Sequence, residues 1–283
     1  MSTDAINTAL SGLRVAQQGL NLVSNNIANA STDGYTAKSL AQEAMVAGDV
    51  GIGVRTGNIT RFVDRALQRD YRAQLGLQTY HQTRQAYLDR IMTFNGAADQ
   101  GKNIGAQIGG LYQRFIELSA SPDSTTSQQN LLTQAANVAK GFNDFSKLLN
   151  DLRNETQSTI ATEVKNLNES LKQIAEYNKR ISTLLHVGQS TATLEDQRDT
   201  LIKNVAAQLE VTHYTNSDGV VVLQTKSGEV LADTAAHSFV FDNDPITQAS
   251  TYPTTLNGLI LKGAGDGSDI DLADNPIGGK LGA

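Results

Sequence analysis

The chain has 283 residues, enough for two domains, and its 23 Lys and Arg residues face 29 Asp and Glu residues, a formal charge of −6. Phosphate binding needs clustered cations, so an acidic chain argues against nucleic acid as a main partner. Cysteine and tryptophan are absent, which excludes disulfides, thiolate metal sites and cysteine nucleophiles. Asn, Gln, Ser and Thr supply 88 residues, a composition that favours long polar interaction surfaces over an enzyme with a cofactor or a catalytic site.

The first predicted element is a helix over residues 4–30. Large apolar residues recur every seven positions along it, at Ile6, Leu13, Leu20 and Ile27. The second seam position holds Ala9, Ala16, Val23 and Ala30. A strict seven-residue repeat is typical of a coiled coil, so we expect this stripe to pack on a partner helix. The alternative is an ordinary amphipathic helix packed on a local core.

Residues 31–60 are rich in glycine and predict a loop or a short β-hairpin. The segment Gly51–Gly57 invites comparison with a dinucleotide-binding loop. Its last glycine comes one residue too late, and no βαβ pattern surrounds it. A phosphate site is therefore not expected here.

Two further helices are predicted, from Arg61 to Asn95 and over residues 103–119. The first has an irregular apolar face. The second has apolar residues spaced by four and three, which is the helical period. The segment Ser119–Ser124, which contains Pro122, ends it.

A long fourth helix is predicted over residues 125–187, with an apolar stripe that continues across Thr156 without proline or glycine. We expect its seam to form the core of a rod, through Phe142, Phe145, Leu167, Ile174, Asn178 and Ile181. At 1.5 Å per residue one helix would span about 95 Å, about twice the diameter of a compact chain of this size, and this favours a rod. Asn178 either fixes the register of the seam or lies at a solvated edge.

A fifth helix is predicted over residues 193–208, beginning with a capping-box pattern at Thr193. Glu195, Asp196, Arg198 and Asp199 form a charged cluster in it. Ion pairing at the surface or between helices is the ordinary role of such a cluster, in preference to acid catalysis.

After Leu209 the pattern alternates with period two, which predicts strands separated by turns. The strands are expected at residues 210–214, 220–224, 229–231, 238–241 and 259–262. A loop contains the four acidic residues Asp266, Asp269, Asp271 and Asp274. Their spacing does not fit a calcium-binding loop, so no metal is expected.

The sequence therefore predicts a mainly α, overall α+β chain with three parts. Residues 1–60 form the terminal coiled-coil helix and a loop, residues 61–208 an elongated helical rod, and residues 209–283 a β-rich region that begins an outer domain. No other predicted helix is free to cover the heptad stripe, so we expect its partner in another subunit or in a C-terminal segment beyond Ala283.

One segment resembles a known signature. Ser24–Asn29 followed by Asp33–Thr36, and preceded by Ala9–Leu13, is similar to the N-terminal signature of bacterial flagellar rod, hook and hook-associated proteins. Its marker residues are Asn25, Asn26, Asn29, Gly34 and Tyr35. Gly51–Val54, Ile59–Arg61, Tyr71–Arg72 and Leu194–Asp199 resemble the hook-associated members in particular.

The resemblance implies a structural subunit that joins hook to filament, without enzymatic activity. It implies as partners further copies of the chain, the hook protein, hook-associated protein 3, the flagellar export apparatus and an export chaperone. Members of the family are exported without a cleaved signal and end in a helix that pairs with the N-terminal one. The sequence itself has neither a signal-peptide pattern nor a membrane span.

Two other functions are weighed against this one. A hook or rod subunit is the nearest alternative, since it shares the signature. A secreted coiled-coil effector or adhesin outside the flagellum would explain the helices but not the segment from Asn25 to Thr36.

Overall fold

The computed structural model of the chain describes residues 2–96, 103–244, 246–247, 249–251, 254–256, 258–264, 268–272 and 277–283. The chain forms two compact units. The first unit comprises Met1–Gln78, Val164–Val240 and Leu259–Gly282. The second comprises Thr79–Glu163 and Phe241–Gly258, together with Ala283.

The described residues form mainly helices, as predicted. The helices are α1 Ser2–Ala28, α2 Arg65–Asn95, α3 Ile104–Ala120, α4 Thr125–His186 and α5 Ala192–Gln208. The strands are β1 Lys38–Ala47, β2 Val50–Arg61, β3 Val211–Thr215, β4 Val221–Thr225, β5 Val230–Ala232, β6 Ser238–Val240, β7 Ile260–Ala264 and β8 Ser268–Asp271. The α+β prediction with a β-rich end is confirmed.

Helix α4 is continuous through Thr156, which confirms the prediction of one long helix. At its N-terminus the hydroxyl of Ser124 accepts a hydrogen bond from the Ser127 amide. At its C-terminus the Gly188 amide donates to the Leu185 carbonyl and the Gln189 amide to the Leu184 carbonyl. This pair of bonds is the Schellman motif, which needs the left-handed backbone that Gly188 adopts at φ 66°.

Two predicted helix starts were wrong. Arg61 ends β2, and α2 begins only after Asp64, whose carboxylate accepts from the amides of Ala66 and Leu67. Thr193 is not a cap because α5 already begins at Ala192. The preceding hydroxyl, that of Thr191, donates to the Glu195 carboxylate and makes no capping bond to the backbone.

The core of the first unit contains the C-terminal half of α4, α5 and the β3–β4–β5 sheet. The predicted seam residues of α4 are buried here from Val164 to Ile181. Residues without exposed surface come from all of these elements, including Leu167, Leu171, Ile174, Ile202, Leu209, Leu223 and Leu231. Each large side chain of this kind contributes about 1.5–3 kcal/mol on burial.

The strands form three small antiparallel sheets. Strands β1 and β2 form a hairpin in which Lys38 pairs with Arg61 at its base and Ala47 with Val50 at its tip. Strands β3, β4 and β5 form a meander, and so do β6, β7 and β8. For residues 31–60 the sequence predicts either a loop or a short β-hairpin, and the structure shows a hairpin.

In the second unit, contacts link α2, α4 and the segment after β6. Phe94 stacks on Phe145 with ring centroids 5.7 Å apart. Arg90 forms a two-pronged ion pair with Glu155 at 2.7 and 2.8 Å. The Arg153 guanidinium donates to the Ser250 carbonyl.

Candidate functional site

Helix α1 has two different faces. One face lies on the hairpin: Val15 is buried there, the Thr8 hydroxyl donates to the Ile52 carbonyl at 3.1 Å, and the Val54 amide donates to the Ser11 hydroxyl at 3.1 Å. Because a helix advances 100° per residue, positions 8, 11 and 15 share one side. The hairpin therefore occupies the side of α1 that does not carry the heptad repeat.

The heptad stripe faces solvent in the described structure. The exposed fractions of its four large residues lie between 64% and 72%, for Ile6, Leu13, Leu20 and Ile27. The local packing of α1 thus uses its other face and leaves the stripe open.

The signature residues form hydrogen bonds within the turn that joins α1 to β1. The Asn26 side chain holds Lys38 at both backbone atoms: its Oδ1 accepts from the Lys38 amide at 3.0 Å, and its Nδ2 donates to the Lys38 carbonyl at 2.8 Å. Asn26 Oδ1 also accepts from the Tyr35 hydroxyl at 2.7 Å. Asn29 donates to the Asn25 carbonyl and accepts from the Thr32 hydroxyl. These amides fix the path of the chain where it leaves the helix.

Three further residues of the signature segment meet α5. Their partners are spaced by four and three residues and so share one face of that helix. The pairs are Thr36 with Asp196, Gly34 with Thr200, and Asp33 with Lys203.

Asp196 is the centre of this contact. Its Oδ1 accepts from the Thr36 hydroxyl at 2.5 Å and from Arg61 at 2.9 Å, and its Oδ2 accepts from the Lys38 ammonium at 2.6 Å. The Lys38 ammonium also lies 3.8 Å from the centre of the Tyr35 ring. Both ion-pair partners of Asp196 come from the base of the hairpin, where Lys38 and Arg61 face each other.

The same cluster extends along α5 to α2 and β3. Arg61 also pairs with Glu195 at 2.8 Å and Asp199 at 2.9 Å. Arg72 of α2 pairs with Asp199 at 3.3 Å and lies 3.0 Å from Nε2 of His213. All three carboxylates of the cluster are therefore paired with cations from other elements, which is ion pairing between elements.

The environment shifts several pKa values. Burial raises the pKa of Asp196, but hydrogen bonds from Lys38, Thr36 and Arg61 outweigh it and hold the pKa below its ordinary value. Burial and the charge of Arg72 lower the pKa of His213. The carboxylate and the neutral imidazole are thus the favoured forms.

The seam residue Asn178 lies in the core and not at a solvated edge. Its Oδ1 accepts from Arg198 at 2.8 Å and from the Val221 amide at 3.0 Å. Its Nδ2 donates to the carbonyls of Val221 and Asp233. Arg198 also donates to the Gly219 carbonyl at 2.7 Å.

The remaining predicted seam residues differ in burial. Leu167, Ile174 and Ile181 have no exposed surface, and Phe145 stacks on Phe94. Phe142 is 51% exposed. The seam is therefore covered in the first unit, whereas Phe142 in the second unit is open to solvent.

The sequence predicts the acidic residues of α5 as a charged cluster but does not predict their partners Lys38, Arg61 and Arg72. No local pattern joins residues more than 120 positions apart, so only the fold reveals these pairs. Of the four acidic residues predicted to lie in a loop, Asp266 and Asp274 lie outside the described residues. Asp269 and Asp271 belong instead to strand β8, and Asp269 pairs with Lys262 at 2.6 Å. Among the helices that the structure describes, none combines the length and apolarity needed to cross a bilayer.

Comparisons with known proteins agree on one family. A family model described as the helical domain of flagellar hook-associated protein FlgK matches residues 93–283, and one for flagellar basal body rod proteins matches residues 6–36. Flagellar hook-associated protein 1 of Bacillus subtilis is 28% identical over 238 residues, which cover 80% of this chain and 46% of that protein. The same-named protein of Salmonella typhimurium is 28% identical over 233 residues, 80% of this chain and 42% of that one.

A solved structure has the same fold. The flagellar hook junction protein FlgK from Burkholderia pseudomallei superimposes with a TM-score of 0.61 at 19% identity, over 76% of this chain and 37% of that one. The chain thus spans less than half the length of the relatives it matches. Since the helical-domain family model covers more than half of the chain, the chain belongs to the flagellar hook-associated protein FlgK family.

Proposed function

We propose that this chain is part of a structural subunit that joins hook to filament in the bacterial flagellum. The observation that carries the proposal is the open heptad stripe of α1, with Ile6, Leu13, Leu20 and Ile27 exposed in one line. Four such side chains contribute about 1.5–3 kcal/mol each when a partner helix covers them. The names of the matched relatives, hook-associated protein 1 and hook junction protein, support the same role.

The proposal includes location and partners. The subunit would act outside the cell within the flagellum, after export through the flagellar apparatus with the help of a chaperone. Its neighbours there would be further copies of itself, the hook protein and hook-associated protein 3. A helix of another subunit, or a C-terminal helix of the same protein, would cover the α1 stripe. No enzymatic activity is part of the proposal.

Deleting the gene tests the junction role. We expect cells that assemble hooks but lack filaments, seen by electron microscopy of purified hook–basal bodies, with unattached filament protein in the medium. Cells that lack hooks as well would contradict the junction role and favour a hook or rod subunit. Cells with intact filaments would contradict every flagellar role.

Substitutions in α1 test the observation that carries the proposal. Leu13→Asp combined with Leu20→Asp places two charges in the stripe, so we expect export to continue while filament attachment and swimming are lost. Gln18→Glu adds a charge to an exposed position of the same helix outside the stripe and is the matched control. Full motility of the double variant would show that the stripe is not an assembly face.

A further inference from the structure

The signature segment 33–36 lies along one face of α5 in a fixed register. Asp33 pairs with Lys203 at 2.5 Å, Gly34 approaches Thr200, and Thr36 donates to Asp196. Three of the four residues of this segment thus meet successive turns of α5. We refer to residues 33–36 as the clasp.

The clasp needs a glycine at its second position. Gly34 has φ 80°, a conformation that costs an ordinary residue about 1–2 kcal/mol. A Cβ there would also collide with the Thr200 hydroxyl. Close approach and backbone conformation therefore both account for Gly34 in physical terms.

Asp196 joins the clasp to the hairpin. Its carboxylate accepts hydrogen bonds from the Thr36 hydroxyl of the clasp and from Lys38 and Arg61 on the two strands at the hairpin base. These groups are largely buried, so removing the charge leaves Lys38 without its ion-pair partner, while Arg61 keeps Glu195 and Asp199.

Asn26 joins α1 to the same assembly. Its side chain binds both backbone atoms of Lys38 and the Tyr35 hydroxyl, so the end of α1 is tied to the clasp and to the start of β1. Along α1, Thr8 and Ser11 add bonds to β2. Helix α1 and the hairpin are therefore bound to each other independently of α5.

We propose that the clasp seats α1 and the hairpin as one body on α5, with Asp196 as the positioning residue that sets the direction in which the α1 stripe points. The use of that stripe in assembly rests on the proposed function above. The seating itself is a property of the isolated chain and is tested without the flagellum.

Distance measurements between spin labels test the seating. Since the chain has no cysteine, single cysteines at the exposed residues Gln17 of α1 and Asn204 of α5 can be labelled selectively. We expect one narrow distance distribution in the parent chain and a broad one in Asp196→Asn. Glu43→Gln removes an exposed ion pair with Arg55 in the same hairpin and should keep the narrow distribution. An unchanged distribution in Asp196→Asn would overturn the proposal.

Hydrogen exchange separates positioning from general stability. Once undocked from α5, the hairpin is supported by α1 alone, so amides of residues 35–61 should open more readily and exchange at least tenfold faster in Asp196→Asn. Amides of residues 197–208 should keep the parent rates. Equal acceleration in both segments would mean that Asp196 only stabilises the unit, and the proposal would fail.

A second pair of variants serves if Asp196→Asn does not fold. Gly34→Ala should undock the clasp, and adding Thr200→Ala removes the colliding hydroxyl and should partly restore the narrow distribution. An absence of restoration, or a narrow distribution in Gly34→Ala alone, would contradict the clasp. If the seating is normal but the chain does not support filament assembly in cells, the proposed function fails and the clasp stands.

Discussion

Among single residues, Asn178 shows what a polar group in a buried seam can do. It has no exposed surface, and its amide makes hydrogen bonds to Arg198, Val221 and Asp233. It therefore links α4 to α5 and to the turns and strands beside it. The cost of a polar residue in the core is offset because its amide is hydrogen-bonded at both Oδ1 and Nδ2.

Replacing this amide should destabilise the first unit strongly. In Asn178→Leu the Val221 amide loses its acceptor inside the core, and the Arg198 guanidinium loses Asn178 but keeps the Gly219 carbonyl. We expect a loss of about 2–5 kcal/mol in the free energy of unfolding. Urea unfolding followed by circular dichroism measures it. Asn166→Leu, at an exposed position of the same helix, should change the value by less than about 0.5 kcal/mol. Similar effects of both changes would contradict the role of Asn178.

His213 predicts a pH dependence of stability. Burial and neighbouring Arg72 lower its pKa in the folded chain, so the unfolded chain binds more protons near pH 6. Its contribution is complete above the ordinary histidine pKa of about 6.5 and is lost as the pH falls through the lowered folded value. Facing it are Arg72, Arg198, Arg69 and Asp199, of which only Asp199 favours the charged ring.

Unfolding experiments at several pH values check the direction of this pH dependence of stability. We expect the parent chain to lose stability from pH 7 towards pH 5, by at most about tenfold per pH unit in the equilibrium constant for this one group. His213→Gln keeps an acceptor for Arg72 and does not titrate, so its profile should be flatter. An equally steep profile in the variant would exclude His213 as the source.

At the scale of elements, helix ends follow from single polar residues and glycines. Asp64, Asn103 and Ser124 each accept a backbone amide at the start of a helix, and Gly188 ends α4. The end at Gly188 matters most because α5, with its cluster of paired charges, begins only a few residues later.

Gly188→Ala tests this end. The position has open space around a Cβ but φ 66°, so the substitution should cost about 1 kcal/mol through the backbone alone. Gly109→Ala is the matched control: it also has open space, but it lies within α3, where alanine should stabilise by about 0.5–1 kcal/mol. Thermal unfolding shows whether each variant is more or less stable than the parent chain. A Gly188→Ala variant that is more stable would contradict the assigned cap.

Over the whole molecule, charge and apolar exposure are distributed differently. The net charge of −6 is small for 283 residues, and six charged residues of the first unit pair with one another in the cluster on α5. Large exposed apolar residues form a row on α1, and others lie on the hairpin, α2, α3 and α4. Association of whole chains should therefore depend on apolar contact, including contact along the α1 stripe, more than on charge.

Introduced cysteines can detect that association. In an otherwise cysteine-free chain, Leu13→Cys lies in the stripe and should form disulfide-linked dimers under mild oxidation at high protein concentration. Gln18→Cys, which is exposed outside the stripe, should give a several-fold lower yield on a non-reducing gel. Equal yields at both positions would show that association does not use the stripe.

Patterns within the sequence predict the helices, most of the strands, the heptad stripe of α1 and the family signature. These are local: hydrophobic period, caps and turn residues act over a few positions and are read directly from the chain. The seam of α4 from Val164 to Ile181 was also found in this way, and the structure buries it.

Which surfaces of these elements meet follows from their packing in the fold. The acidic residues of α5 could be named beforehand, but Lys38, Arg61 and Arg72 reach them from positions more than 120 residues away. The direction in which the α1 stripe points also depends on packing, because the hairpin occupies the opposite face of that helix. Pairing between distant residues depends on how elements pack, and neither period nor composition encodes that geometry locally.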